Sequence, residues 1–322
     1  MNFRSCATAA LSVVAFSFSL SVAEAADFPT KPVSLIVPWP AGGATDILMR
    51  MIAQKASDEL GQPVVVVNQP GAGGSIALRE VAEGDKSGHT ISMIATGFIT
   101  EQYSSPNAPT LDQFKVLAFA GTDPPALAAG GGTGIKTLDD LVKRAKEKPG
   151  ELRNASPGGT SVVAVALIES QLGIKMTSVP YAGTAPVVQA VLAGETQTAS
   201  PTITDIVAQH QAGDVTVLAV AGSERHFMAP DVPTFTELGY PIVYGTMRAL
   251  VAPADVDPAA AEILEAALLK TLNDSEFQEL AKDAGFSISP MGGEEATAFF
   301  QKMDTELYPI LLEGGLVKVR QK

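Results

Sequence analysis

Val33-Ser34-Leu35-Ile36-Val37-Pro38-Trp39-Pro40-Ala41-Gly42-Gly43-Ala44-Thr45-Asp46 reads as a buried strand, a glycine turn and the start of a helix. Val33, Leu35 and Val37 alternate in an apolar, largely β-branched run, Pro38 and Pro40 end it, and Gly42-Gly43 let the backbone come close to whatever lies above. The helix that follows is predicted to run to about Leu60, with Leu48, Ile52, Ala56 and Leu60 on one face and Gly61 as its stop. Backbone N–H groups at its start make a place for an anion. An ordinary strand-to-helix connection without a ligand is the competing reading of this stretch.

The next segments repeat the pattern. Val64-Val65-Val66-Val67 reads as a strand buried on both faces of a parallel sheet, and Pro70-Gly71-Ala72-Gly73-Gly74-Ser75 as a second glycine-rich turn. Ala77, Leu78, Val81 and Ala82 then form the inner face of a helix. Thr90 to Ala95 is a third strand, closed by Thr96-Gly97. A β-α-β-α-β alternation predicts an α/β, doubly wound sheet with ligands at the carboxyl ends of its strands. Neither turn is a nucleotide signature: there is no G-x-x-x-x-G-K-[ST], and G-x-G-x-x-G counted from Gly71 fails at Ile76.

After a strand from about Phe114 to Gly121, Gly121-Thr122-Asp123-Pro124-Pro125 reads as a crossing into a second lobe. That lobe has its own turn, Ser156-Pro157-Gly158-Gly159-Thr160-Ser161, and a helix from about Pro186 to Ala193. A strand follows at Val215 to Ala221. The chain is expected to return near Tyr244-Gly245-Thr246-Met247-Arg248 into an apolar strand, Ala249 to Ala252. The tail is helical, with Phe300, Met303 and Leu307 on one face and Pro309 expected to end or kink it. Two crossings give a hinge, and the division expected is 26–122 with 246–322 in one lobe and 123–245 in the other.

Residues 1–25 read as a cleaved export signal: Arg4, an apolar run from Ala7 to Val22, and the small-x-small pattern Ala23-Glu24-Ala25. The sole cysteine, Cys6, lies before that run and not after it, so no lipid-anchored cysteine is expected. The mature chain would then lack disulfides and thiolate chemistry. Arg4 and Glu24 cancel, so the formal charge of −13 survives cleavage. Such acidity disfavours nucleic acid and anionic membrane surfaces, and an anionic ligand must be held by local backbone dipoles.

The turns, in this order, resemble the extracytoplasmic solute receptors of tripartite tricarboxylate transporters, the Bug family. The resemblance rests on Val37 to Asp46 with Arg50, Asn68 with Pro70 to Gly74, Val179-Pro180-Tyr181-Ala182-Gly183-Thr184-Ala185-Pro186, and Pro230 to Thr234 with Glu237-Leu238-Gly239. It implies a two-lobed periplasmic-binding-protein-like fold, each lobe a mainly parallel sheet flanked by helices, with a small organic anion, a mono- or dicarboxylate, in the interlobe cleft. It also implies delivery to membrane permease subunits, a periplasmic location, a monomer and no cofactor. Ligand contacts are expected from Trp39, Ala41, Gly42, Gly43, Ala44, Thr45, Gly73, Gly74 and Thr96 on one side. On the other they are expected from Ser156, Gly158, Thr160, Ser161, Tyr181, Ala182 and Thr202.

The chain departs from the family pattern at Ala164, where a histidine is usual, near Thr246-Met247, where an aromatic is common, and at Ser87-Gly88. Asp46 and Arg50 read as an i,i+4 ion pair with a structural role. Trp39 reads equally as core or as pocket wall. His89, His210 and His226 are expected at the surface, without metal-ligand spacing. No G-x-S-x-G, H-E-x-x-H or cysteine pair is present, so catalysis is not expected. A periplasmic sensor that presents its ligand to a signalling partner is the other reading of the same features.

Overall fold

The structure, a computed structural model, describes residues 28–157 and 160–321. The export signal expected at 1–25 and Gly158 both lie outside the described residues; so do the side chains of 160–162, which include Thr160 and Ser161.

In chain order the elements are β1 (Val33–Val37), α1 (Ala44–Leu60), β2 (Val64–Asn68), α2 (Ser75–Glu83), β3 (Thr90–Ala95), α3 (Gly97–Ser104), β4 (Phe114–Asp123) and β5 (Ala126–Gly130). Then come α4 (Leu138–Glu147), β6 (Arg153–Ser156), α5 (Thr160–Leu172), β7 (Thr177–Pro180), α6 (Thr184–Leu192), β8 (Thr198–Ala199), α7 (Ile203–Ala212) and β9 (Val215–Val220). The chain ends with β10 (Thr246–Pro253), α8 (Pro258–Asn273), α9 (Ser275–Asp283), β11 (Met291–Gly292) and α10 (Gly293–Glu313).

The strands form two sheets, ordered β11-β4-β10-β3-β1-β2 and β7-β6-β8-β5-β9. Both are mixed. β1 pairs in parallel with β2 and β3, and β6 with β7 and β8, as βαβ crossovers require. Antiparallel pairing enters where the chain changes sheet. β10 runs against both β3 and β4, and β5 runs against both β8 and β9. Thr246 at the start of β10 pairs with Asp123 at the end of β4, so the outward and return passages lie side by side.

Helices cover both faces of the first sheet. Leu48 and Ile52 of α1 and Leu264 and Leu268 of α8 pack with Leu35, Ile91 and Leu250 on one face. On the other, Leu78 of α2, Phe98 of α3 and Phe300 and Leu307 of α10 meet Ile94 and Phe119. The apolar face expected for α1 is buried at all four positions, and Gly61 ends the helix at φ 64°. α10 does not stop at Pro309 but continues to Glu313; the proline lies close enough to the C-terminus to forfeit one bond without ending the helix.

The reading of Val64 to Val67 as buried on both faces is corrected. β2 is the edge of the first sheet, where Val65 and Val67 are 46 % and 41 % exposed. Four consecutive valines state a preference for extended backbone, but position within the sheet is fixed by pairing, which local composition does not carry.

Candidate functional site

The β1–α1 loop is held by one buried carboxylate. Asp46 accepts the N–H of Gly42 at 3.0 Å, Nδ2 of Asn68 at 2.8 Å and Nε of Arg50 at 3.0 Å. Asn68, at the end of β2, donates from the same Nδ2 to the Trp39 carbonyl at 3.1 Å and accepts from Arg50 at 2.8 Å. Burial alone would raise the Asp46 carboxyl, but Arg50, Gly42 and Asn68 together hold it below the ordinary carboxylate value. The structural role read for Asp46 and Arg50 is what this network performs, since it clamps the ends of β1 and β2 to the first turn of α1. Gly42 has φ 90°, so the turn needs a residue that tolerates the left-handed region.

Above this loop lies a cavity of about 430 Å³ between the two sheets, at the carboxyl ends of β1, β2, β3, β6 and β7. From the first sheet its wall takes Trp39, Ala41, Gly43, Ala44, Thr45, Gly73, Gly74, Glu101 and Arg248; from the second it takes Pro157, Tyr181, Ala182, Thr184, Thr202 and Asp205. Trp39 also packs against the core, so both of its readings hold. The helix starts of α1 and α6 face one another. A Cβ placed on Gly43, whose φ of −85° any residue could adopt, would stand 3.2 Å from Oγ1 of Thr184. Glycine at 43 thus serves close approach of the two walls. The Ala44 N–H crosses to Oδ1 of Asp205 at 3.2 Å, whereas the N–H groups of Thr45 and Asp46 find no acceptor among the described residues.

Three of the expected contacts are placed differently. Gly42 is outside the cavity wall, its N–H committed to Asp46. Thr96 is fully buried and is also absent from the wall; its hydroxyl donates to the Gly245 carbonyl at 2.8 Å and accepts from the Met247 N–H at 2.9 Å, tying β3 to the return strand. Ser156 is fully buried and absent from the wall, its Oγ without a partner among the described residues.

Among the described residues four charged side chains reach the wall: Asp46, Glu101, Asp205 and Arg248. Arg248, 2 % exposed, donates from Nη2 to Asp123 at 3.3 Å and from Nε to the Thr45 hydroxyl at 3.0 Å, while the Thr204 hydroxyl also donates to Asp123. Asp205 accepts the Thr202 hydroxyl at 2.5 Å, and burial pushes its carboxyl up despite that bond. Burial likewise raises Glu101, opposed only by the Ser104 hydroxyl. Glu101 and Asp205 were not read from the sequence. Asp205 had a signal: Thr202-x-x-Asp205 has the spacing of a capping box, which marks the start of α7. Glu101 sits on α3, where Gly97 to Thr100, Gln102 and Tyr103 are all buried, so its sequence gives no amphipathic period.

The surface placement expected for the histidines is corrected for two of them. His89 and His226 are 8 % and 5 % exposed, and burial lowers both below the ordinary histidine value. His89 is enclosed because Phe28 packs on its ring at 4.8 Å and the Thr30 N–H donates to its Nε2 at 3.2 Å. Among the described residues no group of three or more His, Cys, Asp or Glu could hold a metal ion, and no helix is long and apolar enough to cross a membrane.

Two α/β lobes joined by paired crossings, with helix starts opposed across a cleft, define a binding protein of the periplasmic type. Residues 48–316 match the Tripartite tricarboxylate transporter family receptor, and the chain belongs to that family. It is 32 % identical over 293 residues to the UPF0065 protein in the tcbD-tcbE intergenic region of Pseudomonas sp. (strain P51), covering 88 % of this chain and 86 % of that one. The periplasmic binding protein BugD superposes with a TM-score of 0.84 at 26 % identity, over 91 % of this chain and all of BugD. MatC from Rhodopseudomonas palustris, solved with bound malate, superposes with a TM-score of 0.80 at 27 % identity, over 88 % of this chain and all of MatC. The family comprises extracytoplasmic receptors and is not a class of enzymes.

Proposed function

We propose that this chain captures a small organic anion bearing at least one carboxylate in the cleft and delivers it to the membrane permease subunits of its transporter. Residues 1–25 serve as the cleaved signal that carries it to the periplasm, and it acts there as a monomer. Lobes of residues 26–122 with 246–322, and of residues 123–245, close on the ligand. The observation that carries this reading is the opposition of the α1 and α6 starts, Gly43 against Thr184, with N–H groups of α1 lacking acceptors. A carboxylate between them receives backbone donors from both lobes and so favours the closed arrangement. The malate in MatC supports the same ligand class.

A thermal-shift screen of mono-, di- and tricarboxylates beside their amides and esters tests the reading, because a ligand specific to the folded form raises the midpoint. Carboxylates should raise it and their neutral analogues should not. Equal shifts from acid and amide would remove anion recognition from the account.

A further inference from the structure

The charges on the cleft wall do not cancel. Asp46 is paired with Arg50 at 3.0 Å and Arg248 with Asp123 at 3.3 Å. Two carboxylates are left over, and they differ. Asp205 already receives the Ala44 N–H and the Thr202 hydroxyl. Glu101 receives only the Ser104 hydroxyl, at 3.5 Å, the outer limit of a hydrogen bond, and has no cationic side chain within ion-pair reach among the described residues. Its carboxyl lies against Gly73, where an added Cβ would come within 2.7 Å of Cδ and of Oε1. The β2–α2 turn thus leaves room for the head of Glu101 at the cavity wall.

A half-buried carboxylate without a cation at a ligand cavity repels a second anionic group and attracts a cationic donor. We propose that the ligand is a zwitterion: its carboxylate meets the opposed starts of α1 and α6, and a cationic nitrogen, an ammonium or its equivalent, pairs with Glu101. The proposal rests on the anion-receptor reading of the cleft and narrows its substrate class from carboxylates in general to amino carboxylates. Burial, which raises the Glu101 carboxyl, agrees with a group whose charge lacks a partner until the ligand arrives.

Titration calorimetry on the purified chain tests it with two matched series: ω-amino carboxylates of four to six carbons and the dicarboxylates of the same lengths. At least one amino carboxylate should bind about ten-fold or more tightly than its dicarboxylate partner. Glu101→Gln keeps the shape and removes the charge; it should lose that preference, weakening the amino ligand about ten-fold while the dicarboxylate binds equally or better. Glu101→Asp keeps the charge and should retain a preference for the amino ligand. Far-UV circular dichroism and the melting midpoint of each variant establish that it is folded. If carboxylates bind but no amino carboxylate exceeds its partner, or if Glu101→Gln leaves the ratio unchanged, the zwitterion is overturned while the receptor reading stands. If no carboxylate of either series or of the thermal-shift screen binds, both fail together.

Discussion

Replacing Arg248 by methionine should destabilise the chain strongly, because it strands a carboxylate where the two passages between sheets meet. The Arg248 and Asp123 side chains are 2 % and 3 % exposed, and the guanidinium reaches Asp123 at 3.3 Å and the Thr45 hydroxyl at 3.0 Å, with Cζ 5.9 Å from the Phe286 ring centre. Methionine keeps most of the apolar stem, so the loss falls on the charge. Asp123 is left with neutral hydroxyl donors such as Thr204, and its Oδ1 has no partner among the described residues even with Arg248 in place. Removing one member of a buried ion pair costs about 3–5 kcal/mol. For a chain of this size about 2 °C is lost per kcal/mol, hence roughly 6–10 °C in the melting midpoint. Reversible urea unfolding and thermal melts of Arg248→Met, Asp123→Asn and the double variant measure it. The double variant should lose clearly less than the two singles combined, with a coupling of at least about 1 kcal/mol. A single Arg248→Met cost below about 1 kcal/mol, or simple additivity, would mean that Asp123 does not depend on the guanidinium.

Gly43→Val should weaken ligand binding about ten-fold or more with an unchanged far-UV spectrum, since the backbone there suits any residue but the side chain would stand against Thr184; unchanged affinity would move the site elsewhere. Asp46→Ala should cost about 1–3 kcal/mol at pH 7, because the Gly42 N–H loses its acceptor and Asn68 Nδ2 keeps only the Trp39 carbonyl. As the Asp46 carboxyl is held below its unfolded value of 3.8, the charge-dependent part of that cost is present above 3.8 and is lost as the pH falls through the folded value, so the gap between variant and parent should narrow toward acid pH; a gap that does not narrow would count against the network. His89 and His226 are depressed below 6.5 by burial, so the stability of their neutral forms is complete above 6.5 and drains as the pH falls toward their folded values. Urea unfolding from pH 7.5 to 5.0 should show a decline that His89→Gln with His226→Gln flattens; an unaltered slope would contradict it. Small-angle scattering should give a smaller radius of gyration at saturating ligand, whereas superimposable curves would argue against closure on binding.

The first βα unit, from Val33 to Gly61, could be read from sequence because its signals are local: a period of two, then a period of 3.6, with glycine between and after. The same holds for the tail helices, whose apolar spacing is regular. What escaped reading is pairwise and distant. Whether Val65 faces solvent depends on β2 having a neighbour on one side only. Whether Gly42 offers its N–H to a ligand depends on Asp46 having claimed it, although the i,i+4 partner of that carboxylate was visible. Thr96 was expected at the cleft because it ends β3, but its hydroxyl meets the return strand some 150 residues later in the chain, at Gly245 and Met247. Asp205 and Glu101 reach the cavity only because α7 and α3 begin at the same rim as α1. Burial of His89 likewise depends on Phe28, and that contact is set by tertiary packing.

Whether a carboxylate binds between the starts of α1 and α6 is decided by a crystal structure of the chain with the tightest carboxylate from the screen. The expected result is density in the cleft, with carboxylate oxygens within about 3 Å of N–H groups in the first turns of α1 and α6. Density for the ligand outside the cleft, or a carboxylate within it that no backbone N–H of either helix start approaches, would contradict the account.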